Sequence, residues 1–260
     1  MQTLVLTGGS SGIGLATVTL FAERGWRVFE LSRHGVSHDG ITHVDCDVRN
    51  AESVQQAVAT VLQQTDRIDV VISNAGFGIS GAVEFTDLKE AERQMDVNFM
   101  GAVRLVQAVL PQLRTQRGGR IIFTSSVAAL LAVPYQSFYS ASKAAINALA
   151  LALANEVRAF GISVSVMMPG DVSTGFTDAR AKSVAGQEVY SGAEKAVSTM
   201  EHDERNGMSP KQMARLLYHI AVCRSPRPQY VGGFSYRVLC LLDRLLPKRL
   251  VNWIEYQVYN

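Results

Sequence analysis

Cysteine is scarce in this chain: Cys46, Cys223 and Cys240 are the only three among 260 residues. Their number is odd and no two stand at C-x-x-C spacing. That gives little support to a disulfide framework or a thiolate zinc site and favours the reduced, buried thiols of a cytosolic protein. Charge of one sign is also lacking: the formal net charge is +2, so no chain-wide basic field invites nucleic acid. No long hydrophobic run is present, for the most apolar stretch, Ala144 to Ala154, contains Asn147 and falls short of a bilayer span. Met1 to Thr7 runs straight into a strand and a glycine turn, with no signal-peptide pattern. The five histidines (His34, His38, His43, His202 and His219) stand at no metal-ligand spacing, and no metal is predicted. Gly-x-Ser-x-Gly, the serine-hydrolase elbow, is missing as well. What remains is a soluble, cytoplasmic chain, 47% hydrophobic, able to bury a large core and too apolar for disorder.

Short apolar runs alternate with helical patterns along this chain. The runs are Leu4–Leu6, Arg27–Leu31, Ile41–Val44, Ile68–Ser73, Gly119–Thr124, Ile162–Met168 and Pro228–Val231. Helical patterns cover about 12–24, 50–65, 87–116, 138–160 and 210–222. The alternation predicts βαβ units: an α/β, Rossmann-type, doubly wound parallel sheet with helices on both faces. Without repeats or linkers, residues 1–260 read as a single domain. Two stretches break the rhythm: 173–209 is polar and irregular, and 234–260 is apolar with a helical pattern, a C-terminal extension.

Thr7-Gly8-Gly9-Ser10-Ser11-Gly12-Ile13-Gly14 follows the first strand and opens the first helix. Gly8 allows a sharp turn, Gly12 lets a pyrophosphate approach the backbone, and Gly14 lets the helix pack close to the sheet. The helix N-terminus adds unpaired N–H groups and a positive dipole end, so the turn predicts a dinucleotide site.

Further motifs follow in order. Asn74-Ala75-Gly76 ends the fourth strand, Asn98 lies in the next helical pattern, and Ser126 stands thirteen residues before Tyr139-x-x-x-Lys143. Pro169-Gly170 and Val172-x-Thr174 follow the sixth strand. With the spacing Gly8-x-x-x-Gly12-x-Gly14, the chain resembles the short-chain dehydrogenase/reductase family from residue 7 to residue 174. Phe77-Gly78 and the apolar tail are loosely similar to members that reduce steroid, retinoid or long acyl-chain carbonyls, such as 17β-hydroxysteroid dehydrogenases.

The resemblance implies an oxidoreductase interconverting a secondary alcohol and a ketone, with Asn98, Ser126, Tyr139 and Lys143 catalytic. Tyr139 and Lys143 are four residues apart and share a face of one helix. A fixed ammonium favours phenolate and lowers the tyrosine pKa, making Tyr139 a usable acid or base. Ser126 can hydrogen-bond the same substrate oxygen. By resemblance, Lys143 also holds the nicotinamide ribose and Asn98 holds a water in a proton relay. Gly8, Ser10, Ser11, Gly12, Ile13, Gly14, Asn74, Ala75, Gly76, Tyr139, Lys143, Pro169, Gly170, Val172 and Thr174 make up the implied cofactor surface, with adenine near Asp47-Val48. A non-catalytic nucleotide sensor, or a membrane-surface protein on the same fold, is the alternative.

A ribose-selecting acid is expected about 20 residues after the glycine turn. Counting from Gly12 reaches Ser32 and Arg33, neither of them acidic. Both suit a 2′-phosphate, which predicts NADP(H) over NAD(H). Glu30 is two residues deeper on the face of Ser32 and reads as too far back to reach.

Residues 173–209, with Phe176, Val184, Val189 and Tyr190, read as a mobile substrate lid, a fixed surface loop being the alternative. Residues 234–260 carry Arg237, Arg244, Lys248 and Arg249 against Asp243 and Glu255. This stretch is expected to pack on the pocket or on a second subunit; peripheral membrane contact is the less favoured alternative. Both expectations point to a lipophilic carbonyl or alcohol substrate. Members of the family pair through two long helices, here about 97–116 and 138–160, and the second is rich in alanine, so a homodimer or homotetramer is expected.

Overall fold

The computed structural model describes residues 1–259. Its centre is a seven-stranded parallel sheet in the order β3-β2-β1-β4-β6-β7-β9. The strands are β1 (Thr3–Thr7), β2 (Arg27–Ser32), β3 (Ile41–Asp45), β4 (Val70–Ser73), β6 (Gly119–Thr124), β7 (Ile162–Pro169) and β9 (Gln229–Gly232). The order reverses between β1 and β4, and the crevice outside the strand ends there is where such sheets take ligands.

Both faces are covered. On one, Val5, Phe29, Val71, Ile121 and Phe123 pack with α2 (Ala51–Leu62), α4 (Gly101–Thr115) and α5 (Ser137–Glu156). On the other, Leu4, Leu6, Val28, Ile72 and Ile122 meet α1 (Gly12–Glu23) and α7 (Pro210–Val222). Strand side chains alternate between faces, so these apolar runs supply both cores. Local chemistry sets the helix starts. The Asn50 side chain accepts the N–H groups of Glu52 and Ser53 at 2.9 and 3.1 Å. Pro210 opens α7, and the Gln212 side chain accepts the Ser209 N–H at 2.8 Å.

Three differences from the sequence reading stand out. The helix expected over 87–116 is divided: α3 (Leu88–Met95) passes into α4 through a π-helical turn, Asp96–Met100, that carries Asn98. Such turns mark functional positions and leave no trace in hydrophobic periodicity. Residues 173–209 are not irregular throughout. They contain β8 (Ala181–Lys182), paired in parallel with β5 (Ile79–Ser80), and the helix α6 (Ala193–Arg205). Only Ala193, Ala196 and Met200 give α6 an apolar inner stripe, too thin to show in the sequence. Its ties are polar instead: Lys182 and Arg180 pair with Glu201 and Glu204.

The third concerns the extension, α8 (Phe234–Leu245) and α9 (Lys248–Tyr259). Its apolar stripe does not pack on the pocket. Phe234, Val238, Leu241, Leu242, Leu245, Leu250, Trp253, Ile254 and Val258 are exposed, while Tyr236, Cys240 and Asp243 face inward.

Candidate active site

The glycine turn leaves β1 at the switch point. Gly12 has φ +54°, a left-handed conformation that disfavours a side chain. A Cβ there would lie 3.5 Å from Thr174, so Gly12 and Thr174 form opposite walls of a narrow cradle. Gly14 is required by contact, since its Cβ would fall 2.0 Å from the Gly8 carbonyl oxygen. Ser10 and Ser11 are exposed at the rim, and Ile13 packs partly against the α1 core. Ser11 makes no capping hydrogen bond through its side chain, and no acid stands in the first turn of α1. The N–H groups of that turn are therefore not claimed by a side-chain cap, and the cradle fits a pyrophosphate.

Asn74-Ala75-Gly76 sits against this turn. Thr7 Oγ1 accepts the N–H groups of Asn74 and Ala75 at 3.1 and 3.3 Å, and Asn74 Nδ2 donates to the Gly8 carbonyl at 3.1 Å. Asn98 is buried; its Oδ1 accepts the Phe77 N–H, and its Nδ2 donates to the Phe77 carbonyl and to Ser142 Oγ, at 3.0, 3.0 and 3.1 Å. This side chain is fully committed to shaping the segment after Gly76. A Cβ on Gly76 would lie 3.1 Å from Asn98 Oδ1 and 3.5 Å from Lys143 Nζ, so backbone, amide and amine meet at one point.

Helix α5 brings Tyr139 and Lys143 to the same place. Lys143 Nζ donates to the Thr124 carbonyl at 3.0 Å and lies 5.7 Å from the centre of the Tyr139 ring. Ser125 Oγ donates to the Lys143 carbonyl at 3.0 Å, tying α5 to the end of β6. Ser126 is within hydrogen-bonding reach of the Tyr139 phenol, and its Oγ accepts the Ala128 N–H at 3.1 Å.

The electrostatics differ from the sequence expectation. Burial, opposed by the Ser126 hydrogen bond, pushes Tyr139 up to about 12, and burial pulls Lys143 down to about 8. Lys143 faces the ring of Tyr139 while donating to a carbonyl, so desolvation outweighs the lowering expected from an adjacent ammonium. Tyr139 is held neutral, with a proton to give.

At the adenosine end, Asp47 is engaged by Arg49, which donates through Nε at 3.0 Å and Nη2 at 2.5 Å. Those hydrogen bonds hold Asp47 at about 2. Val48 is buried, and its carbonyl accepts from Arg104. Arg33 is exposed and close enough to Asp47 to help stabilise its charge.

Glu30 makes contacts that the sequence reading did not include. Its carboxylate extends to the glycine turn and claims Ser32: Oε1 accepts the Gly9 N–H at 2.9 Å, and Oε2 accepts from Ser32 Oγ at 3.2 Å and meets His43 Nδ1 at 2.6 Å. Same-face neighbours on a strand are close enough for a long carboxylate to span. The Ser32 hydroxyl proton is thus committed to Glu30. The adjacent carboxylates, Glu30 and Asp45, raise the His43 pKa against the opposing effect of burial. The i, i+2 spacing of Glu30 and Ser32 was the available signal; nothing in the sequence tied His43 to them.

At the nicotinamide end, Pro169 closes β7 and Gly170 carries the ring of Tyr236, which a Cβ would meet at 2.1 Å. Tyr236 Oη donates to Asp171. Val172 is buried and bridged to Met208. Over Tyr139 lies Phe176, ring centres 5.7 Å apart, backed by the buried Arg180, whose guanidinium is 5.7 Å from the Phe176 ring. Arg180 pairs with Glu204, which also accepts from Thr177 Oγ1 at 2.6 Å. Tyr236, Arg180 and Glu204 escaped sequence reading because they arrive from distant segments.

Residues 2–185 match the family model for short chain dehydrogenase. A 3-ketodihydrosphingosine reductase of Bacteroides thetaiotaomicron is 40% identical over 229 residues, covering 86% of this chain and 85% of the relative. Estradiol 17-beta-dehydrogenase 1 of Rattus norvegicus is 34% identical over 190 residues, covering 66% of this chain and 55% of that protein. Among solved structures, a short-chain dehydrogenase from Streptomyces avermitilis superposes with a TM-score of 0.85 at 26% identity, covering 98% of this chain and 97% of the other.

Proposed function

The chain belongs to the short chain dehydrogenase family of nicotinamide-dependent oxidoreductases, and from that premise we propose that it is an NADP(H)-preferring reductase of a lipophilic ketone. The observation that carries this reading is the meeting of Ser126, neutral Tyr139 and Lys143 beside Gly76, under the aromatic cover of Phe176. Gly8, Gly12, Gly14, Thr174 and the first turn of α1 would hold the pyrophosphate. Lys143 would hold the nicotinamide ribose. When bound, the nicotinamide supplies the hydride. Tyr139 donates its phenolic proton to the carbonyl oxygen, and Ser126 orients that oxygen through a hydrogen bond. A tyrosine that keeps its proton far above neutrality suits reduction. Asn98 acts by position, fixing the Phe77 backbone after Gly76 and tying it to Ser142 of α5.

The substrate class follows from the cover and the relatives. Phe176 covers the site over Tyr139, and two relatives carry names of enzymes acting on a long-chain keto base and a steroid. The proposed substrate is a long-chain or steroid-like ketone, with 3-ketodihydrosphingosine the first to try. NADP(H) preference is supported by the exposed Arg33, with the Glu30 charge met by His43 and the Gly9 N–H. A homodimer through α4 and α5 is proposed because α5 exposes Ala141, Ala144, Ala148, Leu151 and Ala152 along one face.

The test is a panel of long-chain keto bases, steroids, retinals, acyl ketones and sugars, followed by the absorbance of the reduced cofactor. Long-chain or steroid ketones are expected to give the highest kcat/KM. A small polar ketone turned over better than every lipophilic one would overturn the reading.

A further inference from the structure

The C-terminal helices are built inside out. Along α8, Phe234, Val238, Leu241, Leu242 and Leu245 recur at helical spacing on one face, and that face is exposed, Phe234 by 81% and Leu245 by 71%. The opposite face, Tyr236, Cys240 and Asp243, is the one turned to the protein. Tyr236 anchors it through Asp171, and Asp243 is buried against Lys248 Nζ at 2.5 Å. The second helix repeats the pattern. Leu250, Trp253, Ile254 and Val258 face out, while Val251, Glu255 and Tyr259 lie partly covered. More than half of the exposed large apolar side chains among the described residues lie between Phe234 and Val258.

Charge is sorted in the same way. Both acids of the segment, Asp243 and Glu255, are on the inward faces, whereas Arg237 and Arg244 flank the α8 stripe two turns apart and Arg249 flanks that of α9. The outer surface is therefore apolar, basic and carries a tryptophan. A second copy of this chain is a poor fit, because a two-fold contact through this face would bring the same arginines towards one another. A surface of anionic lipid offers the complementary charge and an acyl boundary for the stripe. No helix among the described residues is long and apolar enough to cross a membrane, so the contact lies in the interface plane.

We propose that α8 and α9 form a docking surface that seats the protein on anionic membrane, with the apolar stripes in the acyl boundary and Arg237, Arg244 and Arg249 at the headgroups. The surface stands apart from the reductase chemistry and holds whatever the substrate proves to be.

The experiment uses the full chain with vesicles of phosphatidylcholine alone or mixed in equal parts with phosphatidylglycerol. Co-sedimentation is expected only with the mixed vesicles. Trp253 emission should shift to the blue and be quenched by brominated lipid, while Trp26, only 5% exposed, stays silent. A basic side chain near an anionic surface contributes about fivefold in partitioning, so Arg244→Gln with Arg249→Gln should lower binding about 25-fold. Leu241→Asp with Leu245→Asp should abolish it and leave the thermal midpoint unmoved, both side chains being exposed. Equal binding to neutral and anionic vesicles would overturn the proposal. So would failure to bind either, or a mass doubling in solution that the leucine variants reverse.

Discussion

Helices α7 and α8 are nearly equal in length and both amphipathic, yet they face opposite ways. Helix α7 turns Met213, Leu217 and Ile220 onto the sheet and closes one core. Helix α8 turns Phe234, Leu241 and Leu245 to the outside and seats Tyr236, Cys240 and Asp243 inward. Periodicity identifies an apolar stripe; what the stripe faces depends on what the neighbouring segments leave uncovered. For α7 the open ground is the β6–β7 part of the sheet, beside α1. For α8 the inward anchor is polar, the Tyr236–Asp171 hydrogen bond, while Asp243 pairs with Lys248 of α9, and the leucines are left over.

The contrast between inward-built and outward-turned groups can be broken by measurement. The largest effect belongs to the acid at the centre of the site. Tyr139→Phe is expected to lower turnover by about 10²–10⁴ with cofactor affinity nearly intact, since it removes only the proton; more than a tenth of the activity remaining would end the assignment. The same site sets a pH limit. Lys143 loses its proton as pH rises through about 8, whereas Tyr139 keeps its own to about 12. Reduction should therefore hold steady through neutrality and fall above about pH 8, with Lys143→Ala weakening both catalysis and cofactor binding. A rate that climbs through that range would show that Lys143 charge is not needed.

Next comes the core. Leu217→Ala, at a fully buried position of α7, should cost about 2–5 kcal/mol in chemical denaturation. Smaller again is Arg33→Ala, an outward group that breaks the equation of exposure with neutrality. A charged hydrogen bond contributes about 1.5–3 kcal/mol, so loss of Arg33 should erase most of an NADP(H) preference of about 10- to 150-fold in kcat/KM and leave NAD(H) kinetics alone. Equal kinetics in the unaltered enzyme would give the decision to Glu30. The smallest effect completes the pair with α7: Leu245→Ala should change stability by less than about 0.5 kcal/mol. A cost near that of Leu217→Ala would mean the α8 stripe is covered in solution.

Much of the fold was legible because its signals are local. The seven runs that form the main sheet are short, apolar and separated by helical patterns, and each strand appears within a residue or two of its expected bounds. The glycine turn, Asn74, Ser126, Tyr139 and Lys143 were legible for the same reason: each stands at a strand end or at a fixed helical spacing. The two-stranded pairing of β5 with β8, the thinly apolar α6 and the π-helical turn at Asn98 were not. Two-residue strands and a shifted hydrogen-bond register carry no periodicity.

By itself, then, the sequence determined the order of strands and helices, the cradle at the first turn and the pairing of Tyr139 with Lys143, because i, i+2 and i, i+4 spacings are properties of the backbone alone. Only the tertiary structure decided the charge states and the contacts across distance. Burial holds Tyr139 neutral against the lysine one helical turn away. Glu30 reaches Gly9 and His43 because three segments converge beneath the turn. The C-terminal leucines face outward because the inward face of α8 is the one that carries Tyr236, bonded to Asp171, and the buried Cys240 and Asp243. Desolvation and long-range packing depend on the whole fold, and no spacing along the chain encodes them.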